Sequence, residues 1–530
     1  MADESRMDRL LLGTLGVLSV AFALASAATP FIVHARDPDL VLTLLTDDFY
    51  YYAQIAQNTL AGEFLSFDGR TSTNGFHPLW LATLLALGAI VGTGFAMLAG
   101  VYVIAAAMSL WAAVETYRLL RASGLAPVAS GLGAILLQIA YLLIARGGME
   151  VILAIPLAIY ALRRSAIWID QPSFTRACHA SLAASLAILA RLDLALMFAI
   201  LAAATAIGAW RDGRLRTAIS RVSTWAAGVL GLVPIALWAA AGVALTGAPM
   251  PVSSAAKQLV SFPALSWDFL PAAMFFARGG DFFDFLAGVL LWAWLPAMLF
   301  GRWPTRCPPG VLIAGRAALL FVPAFYFVVG LLSAWHLWPW YFYPLVLAIP
   351  FMLALLSEAA GQLAARLRLP VVALGAAAFG VLISATVSGI LGTWRSGNPY
   401  GQVRLALAQD FAKFASMRPG GYAIGDLAGM AAYLTASPVV QLEGLVGDRA
   451  LLERIKRGDD LGSVLRDLDV DYYVVFGLLE REGACYDVSE PKRAQAGRAS
   501  PRMTARFCAP PAHVGRVNGR DVVFIFKVAS

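Results

Sequence analysis

What limits the folds open to this chain is a succession of long apolar runs separated by short breaks, many of them bearing arginine. The first, from Leu10 to Val33, is long enough to cross a bilayer core as a helix rising about 1.5 Å per residue. The spacing predicts membrane helices near 10–34, 96–117, 126–145, 150–167, 176–190, 193–210, 223–246, 282–301, 311–333, 338–357 and 370–394, eleven in all. Over the whole chain 59% of residues are hydrophobic and 14% charged, with a mean hydropathy of +0.71. A soluble domain carries about 25% charged residues. That gap excludes one large water-soluble core and predicts an α-helical polytopic membrane protein.

The first run is read as an anchor rather than a cleaved signal. Pro30-Phe31-Ile32-Val33 prolongs it where a small-residue cleavage site would stand. The run at 77–93 is either a twelfth crossing or a helix lying in the interface, and arginine decides between them. If it does not cross, the loops on the amino-terminal side collect 16 arginines, and those on the other side before residue 395 hold six basic residues. Such a bias marks the cytoplasmic side. Counting 77–93 as a crossing would invert every later loop, so the sequence predicts a cytoplasmic amino terminus and a periplasmic carboxyl terminus. The formal charge of +7 follows from these arginine clusters and calls for no nucleic-acid partner.

After Trp394 the composition turns mixed, and the chain divides into a transmembrane part, 1–394, and an outer domain, 395–530. YAIGD, VDYYVVFG and RDVVFIFKV read as strands, whereas ALLERIKRG and GSVLRDL carry helical spacing. The expectation is a small α/β domain outside the membrane. Of the four cysteines, Cys178 falls in a span and Cys307 in an inner loop. Cys485 and Cys508 both fall in the outer domain, where an oxidising compartment permits a disulfide. Two separate thiols are the alternative.

Thr46 to Trp80, the first outer loop, concentrates the chemistry. It opens with two adjacent acids, Asp47 and Asp48, at a membrane exit. Tyr50-Tyr51-Tyr52 and Ala53 to Leu60 then suggest a short helix on the bilayer surface with its rings at headgroup level. Thr46 or Asp48 is placed to cap that helix, which accounts for one acid and leaves the other. A carboxylate partly desolvated beside lipid can act as a general base toward a sugar hydroxyl. The second acid could hold the acceptor, orient the base or bind a divalent cation such as Mg or Mn through hard oxygen ligands.

An acidic pair after the first span, an aromatic-rich interfacial helix, and then His77-Pro78-Leu79 before a further apolar segment resemble the GT-C superfamily of integral membrane glycosyltransferases. The similarity is to bacterial lipid A aminoarabinose and galacturonic acid transferases and to protein O-mannosyltransferases. The resemblance implies a sugar donor carried on a polyprenyl phosphate, and a first-loop acid that activates the acceptor. By position it makes Asp47 the base and Asp48 its partner or a metal ligand, and it sets His77 where relatives carry a basic residue before proline. It also supports an interfacial helix at 77–93. The phrase FDGRTSTNGFHPLW is more distinctive than the acidic pair.

Other polar residues fall on the same side of the membrane under this topology. Arg146 and Glu150 bracket one outer turn, Arg191 and Asp193 another, and Lys257, Arg278, His336 and Tyr341 follow. A lipid-phosphate donor needs cations. Lys257 and Arg191 come first as candidates for its phosphate, with His336 and Arg278 next. Against that stands the reading of Arg146–Glu150 and Arg191–Asp193 as ion pairs that tolerate the interface. Trp335, Trp338, Trp340 and Tyr341 suit a belt of membrane anchors, with a platform for the sugar as the alternative and Tyr341 as a candidate substrate contact. Gly425 and Gly429 read as turn geometry, because neither a dinucleotide fingerprint nor a P-loop is present. No CxxC, HExxH or GxSxG occurs, so zinc, redox and acyl-transfer chemistry lack support.

These readings converge on an inverting transfer of a sugar from a polyprenyl-phosphate donor to a hydroxyl of an envelope lipid, glycan or protein. It would take place outside the cytoplasmic membrane of a bacterium. A lipid-carrier transporter or flippase is the alternative, and predicts ionisable residues at mid-span and paired repeats.

Overall fold

The computed structural model describes residues 2–211, 222–259, 282–333, 335, 337–367, 371–492 and 500–528. Each of the eleven apolar runs is a helix. In chain order the helices are α1 (Ala2–Arg36), α2 (Asp47–Leu60), α3 (Pro78–Val91), α4 (Phe95–Ala122), α5 (Pro127–Ala145), α6 (Val151–Asp170), α7 (Phe174–Ala190) and α8 (Leu194–Arg211). They continue with α9 (Val222–Thr246), α10 (Val252–Lys257), α11 (Phe282–Phe300), α12 (Pro309–Leu332), α13 (Tyr343–Leu367) and α14 (Val371–Ser396). Among the described residues, eight helices are long and apolar enough to cross a membrane by length and composition. Helix α3 has 14 residues and spans about 21 Å, short of the roughly 30 Å hydrocarbon core.

Within the bundle, polar side chains satisfy one another. Gln138 of α5 accepts from Ser19 of α1 (2.6 Å) and donates to Ser109 of α4 (3.2 Å), which ties three helices where water is absent. Glu115 of α4 is buried and pairs with Arg163 of α6 and Arg118.

Beyond α14, a helix α15 (Pro399–Met417) leads into an α/β domain with α16 (Ala428–Tyr433), α17 (Arg449–Arg457) and α18 (Leu461–Asp467). Its strands are β1 (Tyr422–Ile424), β2 (Val439–Gln441), β3 (Tyr472–Phe476), β4 (Arg481–Glu482), β5 (Cys485–Glu490), β6 (Met503–Phe507), β7 (His513–Val517) and β8 (Arg520–Lys527). A five-stranded sheet has the order β2-β1-β3-β8-β7. The β1 pairs with β2 and β3 are parallel, and β8 runs antiparallel to both β3 and β7. Strands β4, β5 and β6 form a second, antiparallel sheet. The strands read from YAI, YYVVF and RDVVFIFK and the two helices on either side of Asp459 are all present. The shorter strands lack the alternation that would have marked them.

A disulfide joins Cys485 to Cys508 across the small sheet, closing 23 residues of chain. The loop-entropy relation puts its contribution near 3 kcal/mol. Cys508→Ser should therefore lower the melting point of the outer domain by several degrees, read by calorimetry with and without reductant. An unchanged midpoint would show that the small sheet holds itself closed.

The domain sits on one end of the bundle. Phe49, Tyr50 and Ala53 of α2 share a continuous apolar core with Ile424, Met430 and Leu445 of the domain. Helix α2 is therefore enclosed. Tyr50, Tyr51 and Tyr52 are buried, which corrects the expectation of rings at headgroup level: Tyr50 packs on Tyr433 of the domain, Tyr51 on Phe67 of the first outer loop, and the Tyr52 hydroxyl accepts the His77 N–H.

Candidate functional site

The two acids open α2, and the backbone before them is pinned. Thr46 stands at the N-cap, yet its hydroxyl donates to the Gly147 carbonyl (3.0 Å), as does its N–H (3.1 Å). This fixes the start of α2 against the turn between α5 and α6. Neither Thr46 nor Asp48 caps the helix, so the expected cap is corrected: Thr46 Oγ1 is given to that turn, and Asp48 lies inside the first turn of α2.

One residue apart on a helix means a rotation of about 100°, and the two carboxylates face different partners. Asp47 points at the outer domain. Its Oδ2 accepts the Gly429 N–H (3.1 Å) and its Oδ1 the Met430 N–H (2.9 Å). These are first-turn amides of α16, whose own N-cap residue, Leu427, offers no side-chain acceptor. Asp47 thus supplies the cap that α16 lacks. A Cβ on Gly429 would stand 2.3 Å from the Asp47 carbonyl, so glycine is required there for contact.

Asp48 points into a cleft. The bundle contributes Tyr51, Tyr52, Ile55, Phe76, His77, Met149, Glu150, Ser253, Lys257, Trp340 and Tyr341 to its walls, and the outer domain contributes Leu445 and Val446. Opposite charges meet there. Burial raises the Asp48 carboxyl to about 7, an effect that Lys257 opposes and that Asp47, Glu150 and Asp426 reinforce. Lys257 Nζ donates to Tyr341 Oη (3.0 Å). Burial works against its ammonium, but the Tyr341 oxygen and Asp48 outweigh that and hold its pKa above the usual lysine value.

His77 lines the same cleft as a neutral ring. Burial, then the Arg191 charge, lower its pKa to about 3. Its Nδ1 accepts the Leu192 N–H (3.3 Å), which leaves the proton on Nε2, 3.9 Å from Glu150 Oε1. The His77 N–H donates to Tyr52 Oη (3.2 Å). Arg191 lies behind this wall, 2% exposed. It pairs with Glu150 and with both oxygens of Asp193 (3.0 Å each), and stacks on Tyr341 and Tyr343, 4.9 and 4.5 Å from the ring centres. Its pairing with Asp193 is the ion pair weighed from sequence, and Glu150 joins it.

The structure brings Asp48, His77, Lys257 and Tyr341 together. It turns Asp47 away and sets Arg191 within a buried ionic group. Arg278 and His336 lie outside the described residues. Trp340 is buried in the cleft wall, whereas Trp338 is 47% exposed, so the aromatic run is divided between cleft and surface. Sequence reasoning passed over Tyr51 and Tyr52 as cleft residues, and also Ser253, Leu445 and Val446. The tyrosines had been given to lipid, and Leu445 and Val446 carry no local signal. Among the described residues no group of three or more His, Cys, Asp or Glu side chains is arranged to hold a metal ion.

No protein-family model matches the chain, and no curated protein matches it. Solved structures do. ArnT from Cupriavidus metallidurans in the apo state is similar with a TM-score of 0.52 at 15% identity, over 84% of this chain and 92% of that one. The same protein bound to undecaprenyl phosphate gives 0.46 at 17% identity, over 85% and 79%. AglB from Archaeoglobus fulgidus, an archaeal oligosaccharyltransferase in complex with an inhibitory peptide and a dolichol-phosphate, gives 0.49 at 14%, over 89% and 69%. The likeness to apo ArnT is one of architecture: the chain has the GT-C fold.

Proposed function

We propose that this GT-C chain is a membrane glycosyltransferase that moves a sugar from a polyprenyl-phosphate donor to a hydroxyl of an envelope lipid, glycan or protein. The observation that carries the reading is one cleft, at the bundle end beneath the outer domain, with Asp48 on one wall and Lys257 with Tyr341 on another. The positive-inside count supports a cleft on the outer face of a bacterial cytoplasmic membrane, with the amino terminus inside.

The steps follow from the charges. Asp48 takes the proton of the acceptor hydroxyl as its oxygen attacks the anomeric carbon. A bond forms from that oxygen to carbon, and the bond from carbon to the phosphate oxygen breaks. The electron pair leaves with the lipid phosphate, whose charge the Lys257 ammonium stabilises. Attack opposite the leaving group inverts the anomeric carbon. Tyr51, Tyr52, Phe76 and Trp340 offer flat faces for the sugar and lipid, and the Arg191–Glu150–Asp193 group holds His77 and Tyr341 in place. Asp48 replaces Asp47 as base in this reading because its carboxylate, unlike that of Asp47, is not given to backbone amides.

Purified protein in liposomes, supplied with polyprenyl-phosphate sugars and envelope extract, should release polyprenyl phosphate and add a sugar mass to an acceptor found by mass spectrometry. Donor left intact with every envelope fraction would reject the reading. A base must be ionised to act, and Asp48 loses its proton near pH 7. Below that pH, kcat/KM should rise about tenfold per unit and then level off. A flat profile from pH 5 to 8 would remove Asp48 from the proton transfer.

A further inference from the structure

The phrase FDGRTSTNGFHPLW is distinctive in sequence and, apart from Phe76 and His77, has no part in the chemistry above. Its central residues hold the cleft walls to one another. Thr73 Oγ1 donates to the Gly447 carbonyl of the outer domain (2.9 Å) and accepts the Gly75 N–H (3.1 Å). His77 receives the Leu192 N–H beside Arg191. Between them, Asn74 is 4% exposed and uses its whole amide on one segment. Its Nδ2 donates to the carbonyls of Ala248 (3.2 Å) and Met250 (3.1 Å), and its Oδ1 accepts the Val252 N–H (2.9 Å).

That segment leads directly to Lys257. Val252 opens α10, a helix of six residues whose last is Lys257. With Val252 and Ala256 buried, an anchor at the first residue sets where the ammonium emerges. Only an amide side chain has two donors and an acceptor at this short reach. Buried, three such bonds fix a loop far more firmly than the same groups would in water.

We propose that Asn74 is a positioning residue for the donor phosphate: it clasps the 248–252 turn so that Lys257, beside Tyr341, faces Asp48 across the cleft. The inference rests on the reading of Lys257 as the phosphate cation. It assigns the unexplained part of the first-loop phrase to the geometry of that site. Asn74 touches no substrate and acts through Lys257.

A double-mutant cycle tests this by binding, without needing transfer to occur. Undecaprenyl phosphate is titrated in detergent against the full chain, followed by native mass spectrometry. Lys257→Ala should weaken binding about tenfold or more. Asn74→Asp keeps the acceptor but sets oxygen against two carbonyls, and should weaken binding about tenfold. Both together should bind no more weakly than Lys257→Ala alone. Val252→Pro is the second variant. It removes one N–H at a helix position that tolerates proline and leaves Asn74 intact, and should cost about three- to tenfold. It carries the test if Asn74→Asp fails to fold. In a transfer assay both variants should raise the donor KM more than they lower kcat. Native-like binding by Asn74→Asp and Val252→Pro, or strictly additive losses with Lys257→Ala, would overturn the inference and leave the phosphate site standing. Native-like binding by Lys257→Ala would instead overturn the phosphate assignment beneath it.

Discussion

Asp48→Asn should lower sugar transfer about 10²- to 10⁴-fold while the protein folds and binds donor as before. The amide has the shape of the acid and cannot take a proton. Because Asp48 lies in the cleft at the start of α2, the change removes a base without opening a cavity. Asp47→Ala should fail in the opposite way. It strips the carboxylate that accepts the Gly429 and Met430 amides, and each buried N–H left unpaired costs about 1–3 kcal/mol. The expected result is a lower melting point and a domain that separates more readily from the bundle, with transfer falling in proportion to folded protein. Measuring both variants side by side, by initial rate and by thermal scan, separates chemistry from docking. The reverse pattern, Asp47→Asn inactive but stable and Asp48→Asn active, would return the base to Asp47.

The second large effect is expected at Gly75. A Cβ there would lie 2.0 Å from the Leu445 carbonyl oxygen and 3.0 Å from its carbon, with Val252 Cγ1 at 3.2 Å. Two of these three atoms are backbone, so Gly75→Ala must push the 441–447 loop away from the first outer loop. Overpacking costs about 1–3 kcal/mol or more, here at a contact that closes one cleft wall. The expected outcome is loss of transfer together with faster proteolysis after the outer domain loosens. Gly392→Ala in α14, where a Cβ meets nothing within 4 Å, is the control. Equal behaviour of the two would mean that the wall does not depend on this approach.

These two sites show what the sequence made legible. The apolar runs and arginine count gave the helices and the short α3, because period and length are local properties. The first outer loop stood out because two acids at a membrane exit are hard to explain by packing. What stayed hidden is rotational or distant. Asp47 and Asp48 are indistinguishable as letters, and their roles part only because a helix turns one toward α16 and the other into the cleft. The wall at Leu445 and Val446 comes from a loop almost 400 residues further along the chain, with nothing in its own composition to announce it. Arg191 had an evident neighbour in Asp193, whereas its second carboxylate, Glu150, arrives from another helix pair.

The transporter reading expected ionisable groups at mid-span and paired repeats. Among the described residues the buried acid inside the bundle, Glu115, is met by Arg163 and Arg118, an arrangement that holds helices together.

The run from Thr73 to Gly75 touches the outer domain directly, through the Gly447 carbonyl and the close passage of Leu445. The two halves of this protein are therefore not interchangeable parts. A chimaera that exchanged only the carboxyl-terminal portion with that of a distant relative would inherit a lock cut for another key. Grafting would succeed only when the short stretch after the first membrane exit travelled with it.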